Sequence, residues 1–448
     1  MGLSISIHCT YKKIFYLVIF PIIMMVYTSL YCVVDGIFIS NFSTNPSSFA
    51  AVNLIFPFIM IIGSIGFMMG AGGTALVSKR LGEGNEEGAN KTFSLIIYTT
   101  IIIGIIVSLI GFFLVEPVVD LMAKLSKEPS ENMVSEAIKY GRILAIAQLF
   151  FILQNTFQSF FMVAERPRLG FRFTFFAGIS NMVLDALFIA VFKWGVIGAA
   201  LATISGYMIA SIGPLLYFIF NKTTALHLGK TTVNFRDIFQ SIYNGLSEFI
   251  SNIAMSVVAV IYNTELLKAY GENGVSAYGI IAYISFIFCA IFIGYSIGIA
   301  PVIGFNYGAR NHNELKNVLK KSLVIIGITS LIMFTLSIST AYPFAHIFSN
   351  GNNELLELTV TGIRIYSIIY LACGFSIFFS SFFTALNNGA LSLTISLMRT
   401  LIFQIGFLYL LPLFMGDVGI WWAVSIGEIV GAIIASTFVL IKKKKYGY

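Results

Sequence analysis

The chain has 448 residues, of which 58% are hydrophobic and only 10% charged, and its mean hydropathy is +0.90. A soluble domain carries about 25% charged residues to keep its surface in water, so this composition excludes a soluble fold. The net charge of +7 does not indicate a nucleic-acid partner, because the basic residues lie in short segments between long apolar runs.

Twelve apolar runs follow one another along the chain. A helix needs about 20 apolar residues to cross a bilayer, and each run is long enough, so we predict an all-α membrane protein with twelve transmembrane helices. The first run is too long for the apolar core of a signal peptide, and we expect it to remain as the first span. The predicted spans are 14–39, 49–77, 93–115, 138–163, 170–192, 196–220, 240–267, 275–304, 322–344, 360–387, 391–414 and 418–441.

Lysine and arginine are distributed unevenly between the segments that join these spans. With the N-terminus in the cytoplasm, nineteen basic residues lie inside and four outside, and three more near outer helix ends raise the second number to seven. Cytoplasmic segments are the basic ones. We therefore predict a bacterial-type plasma membrane protein with both termini in the cytoplasm. The nineteen are Lys12, Lys13, Lys79, Arg80, Lys91, Arg166, Arg168, Arg172, Lys222, Lys230, Arg236, Arg310, Lys316, Lys320, Lys321 and Lys442 to Lys445; the seven are Lys124, Lys127, Lys193, Lys268, Lys139, Arg142 and Arg364.

The second half of the chain repeats features of the first. Gly198, Ala202 and Gly206 of the sixth run recur as the same small-residue pattern 221 residues later, and the triplet Ser-Phe-Phe at 159–161 recurs 222 residues later. Six helices per half make this a parallel repeat, with a pseudo-two-fold axis along the membrane normal. The predicted parts are an N-lobe at 1–220, a cytoplasmic linker at 221–239 and a C-lobe at 240–448.

Few ionisable residues lie well inside the spans. A charge in the hydrocarbon costs several kcal/mol, so each such residue is a candidate functional residue. The four acids and one base in such positions are Asp35, Asp185, Glu248, Glu428 and Arg399.

Asp35, Asp185 and Thr203 lie at matching depth in the outer half of the N-lobe, within roughly 5 Å of one another at a rise of about 1.5 Å per residue. Asn181 shares a helix face with Asp185. Two carboxylates, an amide oxygen and a hydroxyl form an oxygen-rich site that suits Na⁺. The same site suits H⁺, because two like charges in a low dielectric repel each other. The alternative is a pair of structural acids satisfied by backbone or water.

In the C-lobe, Glu248 and Arg399 lie at similar depth, which predicts that they pair. Such a pair would make both residues structural. For Glu248 a structural role and a role in attracting substrate both stay open, and for Glu428 a structural role is favoured. In the fourth helix, Gln154 and Gln158 lie one turn apart and, with Asn155, either line a substrate cavity or join helices by hydrogen bonds.

Signatures of enzyme chemistry are missing from the sequence. The histidines are isolated, and the chain holds no phosphate-binding loop. We therefore predict that the protein is not an enzyme and needs no cofactor, apart from Na⁺ or H⁺ as a coupling ion.

Several stretches resemble the MATE family, the multidrug and toxic compound extrusion transporters, and the similarity runs along nearly the whole chain. These stretches are VVDGIFISNF (33–42), GAGGTALVSKRLGEGN (70–85), NMVLDALFI (181–189), PVIGFNYGARNHNELK (301–316) and the tail of the tenth helix.

The resemblance implies that Asp35, Asn181, Asp185 and Thr203 bind the coupling cation in the N-lobe. Some members of the family also carry an acid in the tenth helix, and 360–387 has none there. A second cation site in the C-lobe is therefore not expected. The acid that such members carry in the seventh helix corresponds to Glu248.

These observations predict a monomeric antiporter that exports small organic, often cationic, compounds in exchange for Na⁺ or H⁺ by alternating access. The lipid bilayer and the substrates are the expected partners. The alternative is a flippase for a lipid-linked oligosaccharide from the same wider superfamily, which would line its cavity with basic residues. A membrane-embedded enzyme is the third possibility, and it lacks a catalytic constellation.

Overall fold

The computed structural model describes residues 8–43, 47–125, 130–221, 224–349 and 352–448, and within them the chain is nearly all helical. Lys127 and Lys222, counted above, lie outside these ranges. The helices are α1 Tyr11–Phe42, α2 Ser48–Gly82, α3 Glu86–Leu125, α4 Glu131–Ile146 with Gln148–Val163, α5 Pro167–Asp185 continued by a π-helix Ala186–Val191, α6 Gly195–Phe220, the long element Phe235–Gly308, α9 His312–Phe348, α10 Asn353–Tyr366 with a 3₁₀ turn Ser367–Leu371 and Cys373–Ala385, α11 Gly389–Leu397 with a π-helix Met398–Ile402, Phe403–Leu410 and Pro412–Met415, and α12 Val418–Tyr446.

The element Phe235–Gly308 comprises two spans. At about 1.5 Å per residue its 74 residues would reach about 110 Å, far more than a bilayer. Gly271 breaks it with φ 64° and ψ −152°, a conformation that glycine adopts without a steric penalty. We call the part before Gly271 α7 and the part after it α8. With α4 and α10 each counted once, the described chain has the twelve spans predicted from the sequence.

Most helices extend beyond the predicted apolar runs because polar residues cap them outside the bilayer. The side chain of Thr10 accepts a hydrogen bond from the Lys13 amide at the start of α1, and that of Asn311 accepts one from the Glu314 amide at the start of α9. Asn234 caps α7 in the same way, so α7 begins at Phe235, five residues earlier than predicted. Such caps satisfy amide groups that a helix terminus otherwise leaves free.

The fourth helix is not the single straight span that was predicted. Its two parts, Glu131–Ile146 and Gln148–Val163, meet at an angle of 54°. The break releases the Leu149 amide from the helix, and that amide donates to the Ser108 hydroxyl at 3.1 Å. In the C-lobe, α10 has its 3₁₀ turn at 367–371, so the fourth helix of each lobe is interrupted at a corresponding position.

Helix contacts confirm the repeat that the sequence predicted. Gly198 at the start of α6 packs against Phe188 at the end of α5, and Gly419 at the start of α12 packs against Leu411 at the end of α11. The turns repeat as well, because Glu165 after α4 and Asn387 after α10 both have φ 57°. The two six-helix lobes are therefore built on one plan.

The lobes meet closely at the end of the molecule that carries residues 8–10, residues 447–448 and the loops 83–85, 164–166, 224–234, 309–311 and 386–388, which we call the basic end. Gly72 of α2 lies against Ser241 of α7, and Gly245 of α7 lies against Met68 of α2. A Cβ on either glycine would collide with backbone of the other lobe. Close approach of the two lobes here therefore depends on glycine.

Candidate cation and substrate sites

Helices α1 and α5 are held together on the side of the candidate cation site that faces the basic end. Gly178 of α5 has no Cβ, which leaves room for the ring of Tyr27 from α1, and the Tyr27 hydroxyl donates to the Phe175 carbonyl at 3.2 Å. From this contact, Asp35 lies two turns further along α1 and Asp185 two turns further along α5. The approach of the helices therefore carries both acids to the same level.

Helix α6 approaches α5 through a second glycine. A Cβ on Gly206 would stand 3.1 Å from the Ala177 carbonyl and 3.5 Å from the Asn181 Cβ, so little more than a glycine fits. Thr203 lies three residues before Gly206 on the same face, which places it at the level of Asp185. Its hydroxyl donates to the Ala199 carbonyl at 3.0 Å, so its lone pairs remain available.

Asp185 lies at the junction between an α-helix and a π-helix. The π-helix Ala186–Val191 begins at the next residue, and the Phe192 amide donates five residues back, to the Leu187 carbonyl at 2.9 Å. Single π turns inside α-helices occur frequently at functional sites. Periodicity in the sequence gave no sign of this turn.

The carboxyl groups of Asp35 and Asp185 lie close enough to interact with one another. Asp185 is fully buried and Asn181 is 3% exposed. One oxygen of Asp35, both oxygens of Asp185 and the amide oxygen of Asn181 are buried without a donor. Such a group of acceptors is costly unless a cation or a shared proton satisfies it, and oxygen atoms are the ligands that hard cations prefer.

An apolar cover separates these acids from the end of the molecule opposite the basic end. Ile39 lies one turn beyond Asp35 and Ile189 one turn beyond Asp185, and both isoleucines belong to one buried apolar cluster with exposures of 1% and 0%.

The candidate substrate residues of α4 are buried, and one of them joins two helices. The Gln158 amide donates to the Thr174 hydroxyl of α5 at 3.4 Å, and the Asn155 amide donates to the Phe151 carbonyl of its own helix at 3.0 Å. The side-chain oxygen of Gln154 is buried without a donor. Of the three, Gln154 is the one that retains a free buried acceptor.

The charged residues of the C-lobe pair differently from the prediction. Arg399 forms its ion pair with Glu428, at 3.7 Å between Nε and Oε1, and not with Glu248. The reason is Gly431 of α12: a Cβ there would lie 3.2 Å from the Arg399 Cβ, so the arginine lies against α12 one turn from Glu428. Glu248 is half-buried and close enough to interact with the charge of Arg399.

Two features of this C-lobe cluster were missed in the sequence. Arg399 lies in a second π-helix, Met398–Ile402. Gln404, one turn beyond it, donates to the same Glu428 oxygen at 3.2 Å. The only signal for Gln404 was an amide inside an apolar run.

Comparisons with known proteins agree with this architecture. The MatE family model matches the chain over 21–187 and 248–410, one range in each lobe. Multidrug export protein MepA of Staphylococcus saprophyticus is 24% identical over 434 residues, covering 95% of this chain and 93% of that protein. MepA of Staphylococcus aureus is 22% identical over 429 residues, with coverages of 95% and 93%.

Solved structures share the fold. A crystal structure of MATE in complex with MaL6 has a TM-score of 0.92 at 23% identity, covering 100% of this chain and 99% of that one. An outward-facing conformation of a multidrug resistance MATE family transporter of the MOP superfamily has a TM-score of 0.89 at 24% identity, covering 98% and 97%.

Proposed function

The chain belongs to the MatE family of transporters, and on that premise we propose that it exports small organic, often cationic, compounds in exchange for Na⁺ or H⁺. Family membership agrees with the prediction that the protein is not an enzyme. In this proposal a monomer works by alternating access between its lobes. The coupling ion is bound by Asp35, Asn181, Asp185 and Thr203. The substrate is bound by Glu248, Gln154, Asn155 and Gln158.

The observation that carries the proposal is the pair of facing carboxyl groups on α1 and α5. Asp35 and Asp185 leave three buried oxygens without a donor, and Asn181 adds a fourth. One Na⁺ would satisfy these oxygens together, and one shared proton would join one oxygen of Asp35 to one of Asp185. Na⁺ and H⁺ would compete for two carboxylates this close, so binding and release can follow an ion gradient.

Export as the direction of transport is supported by the relatives. Both MepA proteins are named for multidrug export, and their similarity extends over 95% of the chain. We extend that role to this chain as part of the proposal. Organic cations suit the C-lobe, where two carboxylates face one guanidinium.

The flippase alternative is less well supported. A flippase of this superfamily is expected to line its cavity with basic residues that hold a pyrophosphate. Arg399, the one base that lies deep within the predicted spans, already has Glu428 as its ion-pair partner, so its positive charge is compensated.

The proposed orientation of the protein in the membrane follows from the distribution of its basic residues. The basic end carries the lysine and arginine residues of the loops and termini, and we place it in the cytoplasm. The lobes are in close contact at that end. Export then requires these contacts to open for substrate loading and to close again for release on the other side.

Reconstituted transport tests the proposal. Purified protein in liposomes is given either a Na⁺ gradient or a pH gradient, and uptake of a fluorescent organic cation is followed. Transport driven by one of the gradients and lost when that gradient is dissipated is the expected result. Transport that neither gradient accelerates would rule out cation coupling.

A further inference from the structure

Three ionisable side chains of the C-lobe lie close enough to interact, and we call them the cluster. Glu248 comes from α7, Arg399 from α11 and Glu428 from α12. Arg399 and Glu428 are an ion pair at 3.7 Å with side-chain exposures of 14% and 6%. With all three ionised, the cluster carries two negative charges and one positive charge, and its net charge is −1.

Glu248 is the member of the cluster that faces the other lobe. Ser241 and Gly245 pack directly against α2, and Glu248 follows Gly245 by three residues on the same helix face. It therefore lies just beyond the point where the lobes touch. Its side chain is half-buried, whereas Glu428 is 5% exposed. A ligand between the lobes meets Glu248 first.

The ion pair leaves bonding capacity unused. Arg399 Nη1 and Glu428 Oε2 are both buried without a partner. Removing one member of such a pair leaves an uncompensated buried charge. Arg399 therefore determines how much negative charge the cluster presents to a ligand that approaches Glu248.

Resting on the export function proposed above, we infer that Arg399 is a specificity-determining residue that limits the C-lobe to substrates with one positive charge. Arg399 neutralises Glu428, and Glu248 binds the single ammonium or other cationic group of the substrate. A dication would need a second carboxylate, which the tethered guanidinium occupies.

Equilibrium binding of two matched ligands tests the inference. The ligands are an alkyl trimethylammonium with one charge and the bis-trimethylammonium of the same chain length with two, measured by calorimetry on the full-length protein. Arg399→Gln should shift the ratio of the two affinities toward the dication by about tenfold, since a unit charge a few ångströms away in a protein interior changes binding by at least that factor.

Three further variants separate charge from structure. The double variant Arg399→Gln with Glu428→Gln has the original net charge and should return the ratio to that of the parent. Arg399→Lys retains the charge and should keep the parent ratio. Arg142→Gln removes an arginine whose ion pair with Glu116 is exposed, and it is the matched control.

The outcomes are distinguishable. A ratio for Arg399→Gln within twofold of the parent, or a double variant that shifts as far as the single one, overturns the inference and leaves the export function standing. A parent protein that binds neither ligand overturns both. Where Arg399→Gln fails to fold, Glu428→Gln replaces it: the net charge becomes zero and the dication must lose more affinity than the monocation.

Discussion

Arg80 of α2 and Asp237 of α7 form an ion pair across the two lobes, with 2.8 Å between Nη2 and Oδ1. Asp237 is 8% exposed and Arg80 24%, so the pair is largely shielded from water. The Asn387 side chain of the C-lobe also donates to the Ala75 carbonyl of the N-lobe, at 3.1 Å. These polar contacts, with the glycines at the same end, hold the lobes closed at the basic end.

Removing that ion pair should favour opening of the basic end. Asp237→Asn leaves Arg80 without its counter-charge and should weaken closure by about 1–3 kcal/mol. A cysteine at Ser241, which is fully buried between the lobes, should then react faster with a membrane-permeant maleimide in a cysteine-free background. Arg80→Gln combined with Asp237→Asn should react more slowly than Asp237→Asn alone. Equal rates in parent and variant would show that the pair does not contribute to closure.

Asp35→Asn should abolish gradient-driven export while substrate still binds, because the amide cannot supply the second negative charge. Asp185→Asn should have nearly the same effect, and the double variant should be little worse, since the two acids act as one unit. Asp120→Asn, which changes an exposed acid of α3, is the control. Transport in proteoliposomes is the measurement, and full export by Asp35→Asn would exclude the assignment.

Gly206 should tolerate alanine far better than leucine. A Cβ there lies 3.1 Å from the Ala177 carbonyl and 3.5 Å from the Asn181 Cβ, so a small shift of α6 accommodates alanine. Leucine must push α6 away from Asn181 and should cost about 1–3 kcal/mol. Thermal unfolding in detergent measures the cost. Coupling-ion affinity should fall in Gly206→Leu, and an unchanged affinity would mean that α6 does not shape the site.

Acidification should release the N-terminal segment from α9. Glu314 is buried, which acts to raise its pKa, but hydrogen bonds from the Cys9 amide, Asn317 and His8 outweigh burial and hold the pKa below its ordinary value of 4.5. The stabilisation is therefore complete above pH 4.5 and is lost as the pH falls through the lowered pKa.

A nitroxide label at Lys12 reports this release. Its mobility should rise in the parent as the pH falls below 4.5, and it should be high at every pH in Glu314→Ala. Glu87→Ala, which removes an exposed acid of α3, should behave like the parent. A parent whose label mobility does not change between pH 7 and pH 3 would contradict the role of Glu314.

The sequence predicted the number of spans and the depth of residues within them. It did not predict the direction in which a side chain points around its helix axis. Counting residues along the spans placed Asp35 and Asp185 at one level, and the structure brings their carboxyl groups together. Counting also placed Arg399 level with Glu248, yet its ion pair is with Glu428, because Gly431 directs the arginine toward α12. Rotation about a helix axis is set by such contacts, which periodicity does not contain.

Local departures from the α-helix could not be predicted from the sequence either. The π turn after Asp185 and the 54° bend between the two parts of α4 lie in apolar sequence without proline or a glycine pair. Both are selected by packing against neighbouring helices. The bend also needs the Ser108 hydroxyl from α3 to accept the released amide, a partner about 40 residues earlier in the chain.

The linker between the lobes sets a mechanical limit on their separation. Asn90 of α3 holds the linker at His227, and the Thr231 hydroxyl donates to the Lys91 carbonyl at 2.8 Å, so the linker is attached along α3. Only residues 232–234 then remain before α7 begins at Phe235. Three extended residues span about 10 Å. This short connection limits the distance between the basic ends of α3 and α7. A larger separation of the lobes would require the hydrogen bonds between the linker and α3 to break.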